Sequence, residues 1–133
     1  MPTSAPPLTK DIAALAAVLA TSGMTHLVRP EAFEGMVPRA LPATRELVYA
    51  SGVVELLCAA GLVAPSTRRA AGWCSAALLV AVWPANVQMS VTHARRASRR
   101  GDTASKVGFA ATLARLPLQL PLIRTALRAA GRP

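Results

Sequence analysis

The stretch Ala70–Val91 reads AAGWCSAALLVAVWPANVQMSV, and it decides the fold class of this chain. It contains no charged residue, and its first half has no polar face. A helix needs about 20 mostly apolar residues to cross the hydrocarbon core of a bilayer. Surface helices of soluble proteins keep a polar face towards water. We therefore expect this stretch to be a transmembrane helix.

Three further apolar stretches have a similar length. They lie at residues 12–28, at residues 47–64 with the single charge Glu55, and at residues 107–123 with the single charge Arg115. Hydrophobic residues make up 53% of the 133-residue chain and charged residues only 16%. Disordered chains are poor in apolar residues, so this composition excludes disorder.

The four stretches predict an all-α fold, an integral membrane up-and-down four-helix bundle that forms a single domain over residues 1–133. The helices are expected at about residues 10–28, 45–64, 67–91 and 107–129. A soluble four-helix bundle is the alternative, but the uncharged third stretch argues against it. The predicted location is the plasma membrane, as a multi-pass protein.

The two longer connections lie on the same side of the predicted bundle. Residues 29–44 place Phe33, Met36, Val37 and Leu41 among charged residues, which predicts a short interfacial segment between helices 1 and 2, with a plain polar loop as the alternative. Residues 92–106, THARRASRRGDTASK, are expected to form a mobile basic loop.

The net charge of +9 comes from basic residues placed mainly between the apolar stretches. A nucleic-acid-binding domain would carry such residues on a polar face, so we expect no specific nucleic-acid partner. The expected partners are the lipid bilayer, other membrane or membrane-associated proteins, and a second copy of the chain in a homo-oligomer.

Polar residues inside the predicted helices fall at similar membrane depths. Ionisable groups are costly there, and they usually face the bundle interior with a partner. Depth is counted from the side of the longer connections. Four polar groups lie within a slab about 10 Å thick, namely His26, Asn86, Arg115 and Glu55. The predicted ligand-binding residues are His26, Tyr49, Ser51, Glu55, Asn86, Arg115 and Gln119.

Glu55 and Arg115 have opposite charges at the same predicted depth, about eight residues from that side. A hydrogen-bonded ion pair between them would avoid two isolated buried charges, so we predict a structural ion pair. Three interpretations of the polar cluster stay open. It could join the helices, form a ligand pocket, or move protons or ions.

Cys58 and Cys74 are the only cysteines, and they lie at similar distances from the turn at Pro65. They could form a redox pair, or they could be inert thiols. The sequence has no motif with metal-ligand spacing and no soluble-enzyme motif, so no metal and no catalytic residue are expected. We do not expect the chain to catalyse a reaction on its own.

Five short motifs resemble the DoxX-like family of small bacterial membrane proteins. In chain order they are H-x-x-x-P at residues 26–30, S-G-x-x-E at 51–55, P-x-T-R-R at 65–69, P-A-N-x-x-M at 84–89 and R-L-P-L-Q at 115–119. The resemblance implies a four-helix integral membrane protein. It also implies a link to quinone-coupled redox assemblies of membranes.

On this basis we predict an accessory subunit of a membrane redox system, with a polar pocket for a small amphipathic ligand such as a quinone. The alternative is a non-enzymatic scaffold or assembly factor. A proton-coupled carrier is a third class, although one glutamate and one histidine would make a short proton path.

Overall fold

The computed structural model describes residues 4–35, 37 and 39–132, and its only regular secondary structure is helical. This confirms the predicted all-α class. The helices are α1 (Lys10–Val28), α2 (Glu31–Glu34), α3 (Thr44–Val63), α4 (Arg68–Arg100) and α5 (Thr103–Ala129). Among the long helices, α1 packs mainly against α3, and α4 packs mainly against α5.

Three helices of the described chain, α1, α3 and α4, are long and apolar enough to cross a membrane. The predicted fourth crossing, α5, is not among them. Its central part contains Arg115 and Gln119 together with Pro117 and Pro121, and these residues lower its mean hydropathy. The apolar length of the other three helices is typical of a membrane protein.

The predicted basic loop at residues 92–106 is wrong, because α4 continues through most of it and ends at Arg100. No glycine or proline interrupts residues 92–100, and alanine and arginine favour helix. The break occurs at Gly101, whose φ of 65° is the left-handed conformation that commonly ends a helix.

Asp102 caps the start of α5. Its Oδ1 accepts a hydrogen bond from the backbone N–H of Ser105 at 3.3 Å. Hydrogen bonding to Ser105, through its side chain and then its backbone N–H, lowers the pKa of the Asp102 carboxyl below its usual value, because it favours the charged form.

The segment between α1 and α3 contains the single turn α2. The interfacial position of this segment stays a prediction. Two ion pairs hold the segment. Arg29 lies 3.8 Å from Glu31, and Arg45 lies 2.5 Å from Glu34. Met36 lies outside the described residues.

The apolar core lies at the end of the long helices that is opposite to α2, near the turn between α3 and α4. Its most buried members include Ile12, Leu15, Leu62 and Ala126. The backbones approach closely there, because a Cβ placed on Gly72 would lie 2.7 Å from the carbonyl oxygen of Ala126.

Arg68 closes the bundle at this end and is almost fully buried. Its guanidinium donates to the carbonyls of Leu62 and Val63, both at 2.7 Å, and to that of Pro6 at 2.6 Å. The last carbonyls of a helix have no partner within the helix. Arg68 therefore supplies donors to the end of α3 and ties the N-terminal segment to it.

Candidate functional site

A cavity of about 810 Å³ lies between the α1–α3 pair and the α4–α5 pair. Most of its wall is aliphatic and includes Val18, Leu79, Val82 and Leu122. Residues Phe33, Val37 and Leu41 of the connecting segment also line it. The polar residues of the wall are Ser22, His26, Ser51, Glu55, Asn86, Arg115 and Gln119.

All but one of the residues predicted to bind a ligand line this cavity. The exception is Tyr49, which is 38% exposed and is not part of the wall. Successive residues of a helix are about 100° apart, so Tyr49 is turned about 200° from Ser51. It therefore points away from the cavity. Ligand binding by the other residues stays a prediction.

Glu55 is only 7% exposed, and both of its contacts come from α1. Its Oε1 accepts a hydrogen bond from the hydroxyl of Ser22 at 3.1 Å, and its Oε2 lies 3.2 Å from Nδ1 of His26. The predicted ion pair between Glu55 and Arg115 is wrong. Among the described residues, His26 is the only basic group within ion-pair distance of this carboxylate.

The reason for this pairing is the close contact between α1 and α3. A Cβ placed on Gly52 would lie 2.7 Å from Cβ of His26, and one placed on Gly23 would lie 2.7 Å from the carbonyl oxygen of Gly52. These glycines bring the two backbones together beside Glu55. Arg115 lies on α5, which packs against α4 rather than α3.

The imidazole of His26 is held on two sides. Its Nδ1 lies 2.6 Å from the backbone carbonyl of Ser22, one turn earlier. A carbonyl oxygen only accepts, so Nδ1 carries a hydrogen and donates it to this carbonyl. The ring stacks on Phe33 with centroids 3.8 Å apart and an angle of 15° between the planes.

Gln119 and Asn86 join α5 to α4 at the cavity wall. The amide nitrogen of Asn86 donates to Oε1 of Gln119 at 2.9 Å, and Nε2 of Gln119 donates to the carbonyl of Leu79 at 3.0 Å. Pro84 has no N–H to donate to the carbonyl of Val80, and the carbonyl of Leu79 is the preceding one in the same turn. Gln119 therefore donates to a carbonyl beside the one that the proline leaves unpaired.

Arg115 is exposed and has neither a hydrogen bond nor an ion pair with the described residues. It lines the main cavity and also a smaller one of about 430 Å³ shared with Thr21, Thr25 and Phe33 of the α1 side. Its guanidinium donors are therefore free for a ligand at the gap between α1 and α5.

Sequence reasoning missed two residues of the site. Ser22 is the partner of both Glu55 and His26. Its position one turn before His26 is a signal that could have found it. Phe33 was assigned to the interfacial segment, and only the fold brings it against His26.

The two cysteines are free and differ in burial, because Cys58 is buried and Cys74 is exposed. They are not joined as a disulfide in this structure, and a redox pair between them stays a prediction.

A family model described as a domain of unknown function, DUF8561, matches residues 15–130. No curated protein and no solved structure matches the chain. The family description names no activity, and the resemblance to DoxX-like proteins stays a prediction.

Proposed function

The chain belongs to the DUF8561 family, whose function is unknown, and we propose its role from the cavity. We propose that it is a membrane protein of four crossings that binds a small amphipathic molecule between its two helix pairs. The head group would lie among the polar residues of the wall. The apolar part would lie against the aliphatic residues.

The cavity is the observation that carries this proposal. Its volume of about 810 Å³ is within the range of small-molecule sites, about 300–1,000 Å³. Mostly apolar walls with a few convergent polar groups are also typical of such sites. All four long helices contribute polar groups to this wall.

The free donors of the wall favour a head group that accepts hydrogen bonds, and Oε2 of Glu55 is an acceptor without a hydrogen-bond partner among the described residues. Gln119 and Ser22 already have protein partners, whereas Arg115 and the hydroxyl of Ser51 have none among the described residues. An arginine offers five N–H donors and no acceptor. The carbonyl oxygens of a quinone are suitable acceptors, so a quinone is the ligand class that we propose to test.

The role proposed for such binding is that of an accessory subunit in a membrane redox system of the plasma membrane. The chain would bind and position the ligand, and another subunit would supply the redox group. This proposal treats α5 as the fourth crossing. Residues 107–123 carry only Arg115 as a charge, which is compatible with a crossing. Arg115 would then face the cavity rather than the acyl chains.

Binding of a short-chain benzoquinone analogue to the purified protein in neutral detergent tests the proposal. We expect saturable binding that Arg115→Gln weakens about 10- to 100-fold, because a charged hydrogen bond is lost. Arg124→Gln is the matched control, since Arg124 is also an exposed arginine of α5 but does not line the cavity. Absence of saturable binding, or equal affinity in both variants, would contradict the proposal.

A scaffold function is the second candidate, and one observation favours it. Asn86 pairs with Gln119, and Ser22 pairs with Glu55, so these groups join helices within the chain. Cross-linking in native membranes distinguishes this function. A scaffold would keep its protein partner in Arg115→Gln and lose it when an exposed apolar residue such as Leu57 is changed to serine.

A further inference from the structure

The last turns of α4 extend beyond its apolar part. The helix has 33 residues and is therefore about 50 Å long. The hydrocarbon core of a bilayer is only about 30 Å thick. The apolar stretch of α4 ends at Val91, so residues 92–100 continue for roughly 13 Å towards the lipid head groups.

Four arginines lie on one face of this extension. Arg95, Arg96, Arg99 and Arg100 are spaced so that they fall within an arc of about 140°, and all four are exposed. We call this set the arginine stripe. Ala94 and Ala97 lie on the opposite side of the helix and are less exposed than the arginines. His93 lies at the edge of the stripe, about 20° from Arg100, and a Cβ placed on Gly108 of α5 would lie 3.0 Å from its Nδ1. Most of the stripe is therefore turned away from α5.

The arginine stripe differs from the other arginines at the same end of the molecule. Arg29 and Arg45 are paired with glutamates of the α2 turn. The stripe arginines have no ion-pair or hydrogen-bond partner in the part of the chain that the structure describes. The nearest acidic residue in the sequence, Asp102, caps α5. The charge of the stripe is thus free for an external partner.

We propose that the arginine stripe binds the phosphate groups of anionic phospholipids. Its position at the end of an apolar helix places it at the depth of the head groups, and its charge is complementary to them. Basic residues near a membrane gain about 1 kcal/mol each from anionic lipid, which is roughly a fivefold change in affinity. This proposal rests on the stripe alone and does not depend on a ligand in the cavity.

The test compares binding of phosphatidylglycerol and phosphatidylcholine to the full chain in neutral-detergent micelles. We expect a preference for phosphatidylglycerol that falls as salt is raised. The double variant Arg95→Gln, Arg99→Gln should bind phosphatidylglycerol about 30-fold more weakly. The control is the double variant Arg69→Gln, Arg124→Gln, which removes the same charge from exposed arginines at the opposite end of the helices. It should bind phosphatidylglycerol as the wild type does.

Arg95→Lys, Arg99→Lys keeps the charge and should keep the preference, which separates charge from a folding defect. Equal binding of the two lipids by the wild type would overturn the proposal, as would equal losses in the two glutamine variants. Two further probes identify the source of the phosphate. Displacement of the lipid by millimolar inorganic phosphate, or tighter binding of a short DNA duplex than of the lipid, would also overturn it.

Discussion

Nδ1 of His26 lies 3.2 Å from Oε2 of Glu55, across the contact between α1 and α3. The hydroxyl of Ser22 donates to the other carboxylate oxygen at 3.1 Å. The carboxyl group of Glu55 is buried, and both of these contacts come from one neighbouring helix. Because Glu55 pairs with His26, the guanidinium of Arg115 has no partner among the described residues. It is therefore the donor on which the proposed ligand site depends.

A double-mutant cycle between Glu55→Gln and His26→Gln should show coupling of about 1 kcal/mol or more in the free energy of unfolding, because the side chains are in contact. Unfolding in detergent, followed by circular dichroism, measures it. The matched cycle of Glu55→Gln with Arg115→Gln should show weaker coupling, because Arg115 does not lie within ion-pair distance of Glu55. Stronger coupling to Arg115 than to His26 would refute the observed pairing.

Gly52→Ala should destabilise the protein by about 1–3 kcal/mol, because the new Cβ would lie 2.7 Å from Cβ of His26 and force α1 and α3 apart. The midpoint of thermal unfolding in detergent measures the effect. Gly35→Ala is the control, since a Cβ there has no atom within 4 Å. Equal midpoints for the two variants would show that the helices can separate at no cost.

Arg68→Met should destabilise the bundle by about 2–4 kcal/mol, because a buried carbonyl left without its donor costs about 1–3 kcal/mol. The three carbonyls of Leu62, Val63 and Pro6 would lose their donors. Arg69→Met removes an exposed arginine next to it in the chain and should change stability far less. Limited proteolysis of the N-terminal segment provides a second measurement, and cleavage should increase only in Arg68→Met.

Asp102→Ala should loosen the turn between α4 and α5 at neutral pH, because the N–H of Ser105 loses its acceptor. The hydrogen bond lowers the pKa of Asp102, so its contribution is complete above the ordinary aspartate pKa and is lost as the pH falls through the lowered value. Hydrogen exchange of the Ser105 amide should therefore differ between wild type and variant at pH 7 and converge in acid. Asp102→Asn keeps a side-chain acceptor that does not titrate. In this variant the protection of the Ser105 amide should therefore not change with protonation of residue 102.

The sequence allowed most of the helix bounds to be predicted closely. Helix α1 lies at the predicted residues, and α3 begins and ends within one residue of the prediction. The sequence predicts His26, Glu55, Asn86 and Arg115 at similar depths, and all four line one cavity. The predicted end of α4 lies nine residues too early, because the basic residues suggest a loop although nothing in residues 92–100 breaks a helix.

The sequence by itself determined which segments are apolar helices and how far along each one a polar residue lies, because the rise per residue of a helix is constant. Only the tertiary structure decided which helices are neighbours and which way each face turns. Glu55 pairs with His26 because Gly23 and Gly52 let α1 and α3 meet beside it. Such a contact depends on the packing of two surfaces, and no spacing within one helix encodes it.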